Sequence, residues 1–412
     1  MKEVNATSSK DRAAGPAMLL VAPHLVHPAR NGSDISLERM ARYLSQHAEH
    51  TDLIGCDSLR RYERGKLVAD TPFANRLRSK PVAGIRTLLF QSHYFREKFN
   101  TPAFTAVVHR QLAVENYGTV LASYLTTVPL LPPLRACQRL LVWTHNDEFK
   151  WFQDLAAKTP SRLGRAVACQ SLGWLKRELP GLARRATLVH VTEDDRAGFE
   201  RVLPGHASMV VAVGTDLDTS PHWPDRKPDD PVVLSFVSSL AVQMAGDALR
   251  HFRDRLEPVL RERFGPQLQV RVVGSGPSST IRKLCAEASW ALHADVSDEE
   301  LARLLAESTF TMLPFPYTNG IKLKLVRSLG SGVPFLSTRV CQPPGFAVPT
   351  GCCFDDDPRG WGAAIDAWLA RPDRRTAQEE LLRLAQAYSW PAVVARMAEA
   401  IGRLSLAGTE PS

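Results

Sequence analysis

The sequence predicts an α/β protein made of two doubly wound parallel sheets that face each other across a cleft. Short buried apolar runs alternate with segments of helical periodicity in both halves, and this alternation is typical of right-handed parallel strand–helix units. Residues 218–231 contain four prolines and no periodicity, so they are interpreted as a linker between the halves. A chain of 412 residues is long enough for two domains.

The first half begins with an apolar run at residues 17–23, which predicts a buried strand and not a signal peptide. Apolar residues then recur at the i, i+3, i+4 and i+7 positions from Leu37, as on one face of a helix that Ser33 or Asp34 can cap. Thr192 or an adjacent acid can cap a later helix. Further strands are predicted at 117–125, 139–147, 187–195 and 208–217.

The second half repeats the alternation. Strands are predicted at 232–240, 269–277, 310–315 and 334–338, and helices at 245–264, about 278–290, shortly after 320, and 390–404. Ligands of open parallel sheets bind beyond the carboxyl ends of the strands. The loops after residues 23, 143, 274 and 315 are therefore the predicted ligand-binding loops.

Composition excludes several classes of protein. The hydrophobic content of 44% and charged content of 23% are those of an ordinary globular chain. No run approaches the ~18 apolar residues of a membrane-spanning helix. Seven scattered cysteines without a C-x-x-C pair indicate reduced thiols, so a cytoplasmic protein is expected. No metal-ligand pattern such as H-E-x-x-H occurs, and we expect no protein-built metal site.

Positive charge is concentrated in the first half. The net charge is +8, and residues 60–98 alone hold ten basic and three acidic side chains, with Tyr62, Phe90, Tyr94 and Phe95 among them. A solvated basic face accounts for this stretch. A surface for anionic lipid or a phosphate-bearing acceptor accounts for it equally well. Nucleic acid is not expected as a partner, because no recognisable binding module accompanies the charge.

The segment "TNGIKLKLVRSLGSGVPFLST" raises an electrostatic question. Lys322 and Lys324 stand in the first turn of a predicted helix and Arg327 in the next, although a helix N-terminus disfavours cations by roughly 0.3–1 kcal/mol each. A bound phosphate or diphosphate would make this arrangement tolerable, and Asn319 and Gly320 would offer it exposed backbone amides. An exposed basic helix without a ligand is the alternative.

A glycine pair, Gly274 and Gly276, follows a predicted strand in "VVGSGPSS". The third glycine and the acidic residue of a dinucleotide-binding fingerprint are missing. The pair is therefore a candidate for a turn beside a phosphate or nucleotide, with a purely structural turn as the alternative.

Several segments, taken in order, resemble the GT-B glycosyltransferases, most of all those of the family 4 type, which are retaining transferases that use nucleotide sugars. The resemblance runs from residue 18 to about residue 405. The segments are "PARNGSDISLERMARYLSQH", "VWTHNDE", "HVTEDD", "VSSLAVQMAGDALRHF", "VRVVGSGP", "VSDEELARLLAESTFTMLPF" and "GIKLKLVRSLGSGVPFLST".

The resemblance implies two Rossmann-like domains with different tasks. Residues 1–217 would form the acceptor side, 218–231 the linker and 232–388 the donor side. Residues 389–412 would form a helix that crosses back to the first domain, followed by a tail.

The resemblance also implies roles for individual residues. Gly32 would lie near the donor diphosphate and the acceptor, and His145 would point into the cleft near the transferred sugar. Gly320, Lys322 and Lys324 would hold the diphosphate. Such enzymes usually need no metal, so the expected ligand is a nucleotide-diphosphate sugar without a further cofactor.

Two alternatives remain open at the strand end that carries His145. This histidine can equally be satisfied by a backbone partner, with no role in chemistry. Asp147 and Glu148 can form a general acid/base pair, or they can simply cap the next helix.

The chain also departs from the family pattern. Arg327 stands where the family usually has an acid that binds the ribose hydroxyls, and Asn319 stands where many members have another acid. An arginine cannot accept hydrogen bonds from ribose, although it can pair with a phosphate. A nucleotide-sugar epimerase of the same fold, or a catalytically silent binding subunit, is therefore kept as an alternative to a glycosyltransferase.

The expected acceptor is a glycan, a lipid-linked sugar or a small molecule in surface-polysaccharide or glycan synthesis. The basic aromatic stretch 60–99 makes peripheral contact with the inner face of an anionic membrane a candidate property.

Overall fold

The computed structural model of the protein describes residues 15–25, 27, 32–217, 223–224, 230–317, 323–343 and 346–407. These residues form an eight-stranded and a six-stranded sheet, each covered by helices on both faces. Both sheets belong to the α/β class that the strand–helix alternation predicts. Within the described ranges, none of the helices has the length and apolar character needed to cross a membrane.

The first sheet has the strand order β4-β3-β2-β1-β5-β6-β7-β8. All neighbours pair in parallel except β2 with β3 and β3 with β4, which form an antiparallel edge. Its strands are β1 (Met18–Val21), β2 (Thr51–Ile54), β3 (Ser58–Glu63), β4 (Lys66–Pro72), β5 (Thr119–Ser123), β6 (Arg139–Trp143), β7 (Thr187–His190) and β8 (Ser208–Val210).

The antiparallel edge corrects part of the predicted basic aromatic surface. Tyr62 on β3 is only 3% exposed. Arg61 on the same strand donates to Asp52 and to Glu115 at 2.8 Å, and Arg60 pairs with acidic side chains from two other elements. These three residues therefore stabilise the sheet edge and do not form a free cationic surface.

The helices of the first domain pack on both faces of this sheet. They are α1 (Gly32–Leu44), α2 (Lys80–Leu89), α3 (Tyr94–Phe99), α4 (Pro102–Val114), α5 (Glu148–Lys158), α6 (Arg162–Ala183) and α7 (Glu193–Val202), and a 3-10 helix spans Leu125–Leu130. Thr192 caps α7 by accepting from the Asp195 amide, as predicted. Ser33 and Asp34 lie inside the first turn of α1 and not at its cap.

The second sheet has the order β11-β10-β9-β12-β13-β14, and all of its neighbours pair in parallel. Its strands are β9 (Val232–Val237), β10 (Leu268–Gly274), β11 (Ala291–Ala294), β12 (Phe310–Leu313), β13 (Phe335–Ser337) and β14 (Cys353–Phe354). The central strands are almost fully buried, which explains why they read as continuous apolar runs.

The helices of the second domain enclose a core that includes Phe236, Phe252, Phe310 and Trp361. The predicted helix at 245–264 is two α-helical segments joined by a π-helical stretch, Phe252–Leu256. The helices are α8 (Gln243–His251), α9 (Glu257–Phe264), α10 (Ser279–Glu287), α11 (Asp298–Ala306), α12 (Leu323–Gly330), α13 (Pro358–Leu369), α14 (Arg374–Gln386) and α15 (Trp390–Ala407).

The helix α15 follows the second domain in the chain but packs on the first. Trp390, Val394 and Met397 are at most 2% exposed and belong to the same core cluster as strands β1, β5 and β6. The Arg139 guanidinium also donates to the Ile401 carbonyl at 2.7 Å. This helix therefore ties the end of the chain to the first sheet.

Gly330 is the last residue of α12, and Gly332 lies in the turn that ends this helix. The Val333 amide donates to the Ser328 carbonyl, and Gly332 adopts a φ of +66°, the arrangement of a helix C-cap. A Cβ on Gly332 would lie 2.2 Å from the Trp223 ring. Trp223 lies in the segment between the two sheets and donates to the Ser331 carbonyl at 3.0 Å. This segment therefore packs against the turn after α12.

Candidate active site

Three neighbouring strands of the first sheet bring aromatic and histidine side chains to one edge. Strands β1, β5 and β6 are adjacent and parallel. The residues that follow their carboxyl ends include His24, Tyr124 and His145. The His24 ring centroid lies 5.0 Å from that of Tyr124 and 5.8 Å from that of His145. The edge at which ligands of such sheets bind is therefore lined by two imidazoles and a phenol.

His145 is held in an uncommon backbone conformation. Its φ is +58°, and the Asn146 amide donates to the Thr144 carbonyl at 2.6 Å, which makes His145 the centre of a γ-turn. Tyr124, on which the imidazole stacks at 4.3 Å, also has a positive φ of +66°. Such conformations cost ~1–3 kcal/mol each and are concentrated at functional sites. This observation marks the pair as a candidate site.

The His145 imidazole is kept neutral by its surroundings. Burial, and then the nearby His24, lower the pKa of His145 well below its usual range. Its Nε2 lies 2.7 Å from the Ser123 hydroxyl, which is a side-chain partner and not the backbone partner considered above. A neutral imidazole fixed in this way can exchange hydrogen bonds with a ligand but is a weak base.

His24 packs beside His145. Burial lowers the pKa of His24 to about 4, so this imidazole is also neutral near pH 7. Its Nε2 lies 3.5 Å from the Asp34 carboxylate in the first turn of α1. The ring also meets Phe99 of α3 edge-on at 6.2 Å. His24 thus connects the first turn of α1 and the last residue of α3 to the predicted catalytic histidine.

The two acids after His145 have different roles. Asp147 is the N-cap of α5, since its carboxylate accepts from the Lys150 amide at 3.0 Å and its own amide donates to Asp195. Glu148 is only 2% exposed, and burial raises its pKa to about 8 although the Leu125 amide opposes the shift. The helix-capping interpretation therefore holds for Asp147, whereas Glu148 is a protonated carboxyl near pH 7.

Gly32 is the first residue of α1, which follows β1 on the same edge of the sheet. Its carbonyl accepts from the Ser36 hydroxyl at 2.7 Å. The structure therefore brings Gly32, His24 and His145 to the same edge of the first sheet.

The glycine pair of the second sheet lies at its carboxyl edge, where β10 ends. A Cβ on Gly274 would lie 1.7 Å from the Ser238 carbonyl oxygen, so this glycine allows β9 and β10 to pack. Gly276 adopts a φ of +58°, and its amide donates to the Asp295 carboxylate at 2.9 Å. The fold itself therefore requires glycine at both positions. A ligand at this turn would find the Gly276 amide already hydrogen-bonded to Asp295.

Lys324 lies in the first turn of α12, at the same edge of the second sheet. Its Nζ is 5.3 Å from the ring centroid of Phe315, which follows β12. Ser328, one turn further along α12, bonds to the Thr311 hydroxyl at 2.6 Å and thereby fixes the helix on β12. Lys324 and Arg327 are both half-buried and line one small cavity. Asn319, Gly320 and Lys322 lie outside the described residues.

One segment touches both of the helices that begin at these edges. The Arg39 guanidinium of α1 donates to the Asp216 carboxylate at 3.1 Å. A Cβ on Gly330, the last residue of α12, would lie 3.1 Å from the Asp216 carbonyl. Thr215 and Ser389 form a β-bridge beside this contact. The helices that carry Gly32 and Lys324 are thus joined through Thr215 and Asp216.

Two of the site residues were not found by sequence reasoning. His24 and Tyr124 were not singled out, although the loop after residue 23 was predicted to bind ligand. His24 could have been predicted as a site residue, because it directly follows the first predicted strand. Tyr124 lies inside a run that was interpreted as strand to residue 125, so its position at the edge was hidden. Among the described residues, no group of three His, Cys, Asp or Glu side chains is placed to hold a metal ion.

Comparisons with known proteins give a family match for part of the chain and a shared fold for most of it. Residues 231–371 match the model of a family described as glycosyl transferases group 1. A search of the curated proteins found no match to the chain.

Solved structures resemble the whole chain. Sucrose-phosphate synthase from Thermosynechococcus elongatus superposes with a TM-score of 0.64 at 16% identity, over 95% of this chain and 100% of that one. α,α-Trehalose 6-phosphate synthase from Burkholderia multivorans gives 0.59 at 12% identity, over 96% and 100% of the two chains. HepE from Anabaena, in complex with UDP-glucose, gives 0.56 at 14% identity, over 94% and 99%. At these identities the likeness shows a shared fold.

The sheets, the family match and the superpositions lead to one assignment. The chain has the GT-B fold, and residues 231–371 of its second domain match the model of glycosyl transferases group 1.

Proposed function

We propose that this protein is a glycosyltransferase that moves a sugar from a nucleotide-diphosphate donor to an acceptor with retention of anomeric configuration. The observation that carries the proposal is the placement of Lys324 and Arg327. Both cations are half-buried on α12, with Lys324 in its first turn, at the ligand-binding edge of the second sheet, and Arg327 in its last turn. The domain that contains them matches glycosyl transferases group 1. A diphosphate is the ligand that best suits cations and helix amides together.

The cations would act on the charge that develops during the reaction. As the bond between sugar and diphosphate breaks, negative charge grows on the departing diphosphate, and fixed cations and helix dipoles stabilise it. Lys324 and Arg327 would supply this stabilisation, with Asn319, Gly320 and Lys322 beside them in sequence. This arrangement needs no metal, and we propose that the activity is independent of one. Gly274 and Gly276 would lie beside the nucleotide.

The state of the first-domain groups suggests where the acceptor's proton goes. Near pH 7 Glu148 holds its own proton, and His145 is a weak base because its pKa is lowered. The departing diphosphate is then the better proton acceptor for the attacking hydroxyl. That hydroxyl would attack from the side on which the diphosphate leaves, which gives retention. His145 would orient the transferred sugar by hydrogen bonding.

The donor base and the pathway are narrower proposals. The Anabaena relative of similar fold is known in complex with UDP-glucose, which makes a uridine-diphosphate sugar the first donor to test. We propose an acceptor from surface-polysaccharide or glycan synthesis, presented to the His24 and His145 edge of the first domain.

The test is mass spectrometry and NMR of reactions with uridine-, guanosine- and thymidine-diphosphate sugars and a panel of glycan and lipid-linked acceptors. We expect release of the nucleotide diphosphate and a product whose anomeric configuration matches the donor. Interconversion of donor sugars without transfer would indicate the epimerase alternative. An inverted product would contradict the proton pathway through the diphosphate.

One observation favours a catalytically silent binding subunit. Arg327, where related proteins usually have an acid, cannot accept hydrogen bonds from ribose hydroxyls. The two functions differ in turnover and not in fold. Binding of a nucleotide-diphosphate sugar without any product, across the whole acceptor panel, would support the silent subunit.

A further inference from the structure

An apolar helix face stands open to solvent on the first domain. Leu89 is 72% exposed, Phe90 60%, Ile85 51% and Val82 47%. All four belong to α2 or directly follow it, at a spacing that puts them on one side of the helix. The opposite side, with Ala83, Gly84 and Thr87, is buried. Contiguous exposed apolar surface of this kind marks an interaction site.

The helix α6 packs beside α2 and carries a further exposed apolar residue. A Cβ on Gly84 would lie 3.6 Å from Val167, and the Arg177 guanidinium donates to the Gln91 carbonyl at 2.9 Å. The two helices therefore run side by side in the same direction. Leu163, which is 54% exposed, lies four residues before Val167 and so stands beside the start of α2.

A basic groove adjoins the apolar face. Arg78, Arg86 and Arg96 line an open groove of ≈ 520 Å³ between α2, α3, the start of α4 and the 3-10 helix. Glu97 also lines it and accepts from Arg86 at 2.8 Å. Glu97 is the sole acidic residue of the segment 74–100, which holds six Lys or Arg residues.

One groove arginine is fixed by the backbone, and the helices that border the groove carry two lysines. Arg78 donates to two backbone carbonyls, those of Glu97 and Asn100, and is therefore built into the fold. Lys80 and Lys98 lie close enough that Lys80, after burial, contributes to lowering the pKa of Lys98. The groove and its rim therefore carry an excess of positive charge next to an open apolar helix face.

We infer that α2 and the arginine groove form a docking surface for an anionic lipid bilayer. The exposed side chains of α2 would enter the boundary between headgroups and acyl chains, and the groove would take a lipid phosphate. The complementary charge favours an anionic membrane over an apolar protein partner, because each nearby Lys or Arg adds attraction to acidic lipids.

This surface differs from the one that the sequence suggests. The sequence points to the whole stretch 60–99, whereas Arg60, Arg61 and Tyr62 are occupied within the sheet edge. The short helix α3 links the docking surface to the candidate active site, since Arg96 lines the groove and Phe99 meets the His24 ring. If the proposed function holds, a lipid-linked acceptor bound here would present its head toward His24.

The test is flotation of the full-length protein with vesicles of phosphatidylcholine, alone or with about one third phosphatidylglycerol. We expect binding only to the vesicles with phosphatidylglycerol, and loss of binding near 0.5 M salt, where screening is strong. The double variant Leu89→Gln/Phe90→Gln should bind at least about tenfold more weakly. Arg96→Gln should bind about fivefold more weakly, the factor expected for one charge at an acidic surface.

Matched controls use exposed residues elsewhere. Val114→Gln changes an apolar residue on α4 that is 70% exposed, and Lys283→Gln changes a lysine on α10 that is 77% exposed. Both should bind like the wild type. Flotation needs no turnover, so it tests the docking surface even if the protein is catalytically silent.

Three results would overturn the inference. The first is no binding to phosphatidylglycerol vesicles. The second is that both Leu89→Gln/Phe90→Gln and Arg96→Gln bind the vesicles as strongly as the wild type. The third is a wild-type dimer in light scattering that Leu89→Gln/Phe90→Gln dissociates without any effect on vesicles, because a second copy of the chain would then be the occupant.

Discussion

The Glu148 carboxyl allows a sharp test of the first-domain site. Its pKa is raised from 4.5 to about 8, with burial as the main cause. In the unfolded chain the group ionises near 4.5, so between these two values the folded state holds a proton that the unfolded state has lost. Stability then falls as pH rises through this window.

The size of the effect follows from the two pKa values. The difference between 4.5 and about 8 corresponds to ~5 kcal/mol above pH 8 and to ~3 kcal/mol at pH 7, as orders of magnitude. Glu148→Gln removes the ionisation and keeps the shape of the side chain. We therefore expect the variant to be more stable than the wild type by a few kcal/mol near pH 8 and nearly equal to it near pH 4.5.

The assay is urea denaturation followed by tryptophan fluorescence at several values of pH. Glu379→Gln is the matched control, because Glu379 is exposed on α14 and should change little at any pH. A Glu148→Gln variant that is equally or less stable at every pH would refute the reasoning, since the native carboxyl would then be ionised and partnered.

Three other predictions concern the site and its framework. Ser123→Ala removes the hydroxyl 2.7 Å from His145 Nε2 and should lower kcat roughly tenfold while donor affinity in calorimetry stays unchanged. Gly332→Ala forces a side chain onto a φ of +66° and against Trp223, and should lower the free energy of unfolding by roughly 2–4 kcal/mol in chemical denaturation. Trp390→Ala empties a buried site between α15 and the first sheet and should cost ~3–5 kcal/mol, seen as a lower Tm.

Each of these has an outcome that would contradict it. A loss of donor affinity in Ser123→Ala would place His145 at the nucleotide and not at the sugar. An unchanged free energy of unfolding in Gly332→Ala would mean that the turn rearranges at no cost. An unchanged Tm in Trp390→Ala would mean that α15 adds nothing to the first sheet.

The sequence allowed the parallel core of both domains to be predicted, because buried strands such as β1, β9 and β12 are unbroken apolar runs. It did not allow the antiparallel edge to be predicted. Strands β3 and β4 carry many charged residues, and their arginines pair with acids on other elements, such as Asp52 of β2 and Glu115. Ion pairs of this kind depend on which strands become neighbours, so they cannot be predicted from the sequence alone.

The candidate site was predictable in part. His145 and Lys324 are candidates from the sequence because one follows a predicted strand and the other opens a predicted helix with unfavourable charge. The protonated state of Glu148 was not predictable, since it depends on burial by several elements. The stacking of Tyr124 on His145 depends on two positive φ angles, which residue types other than glycine do not signal.

The central claim, that the first turn of α12 holds a diphosphate, is tested most directly by calorimetric titration of UDP into the wild type and Lys324→Ala. A lost charge-assisted hydrogen bond is worth about 1.5–3 kcal/mol, so the account predicts roughly 10- to 100-fold weaker binding in the variant. Lys283→Ala, an exposed lysine of the same domain, should bind like the wild type. Equal affinity of Lys324→Ala and the wild type would contradict the account.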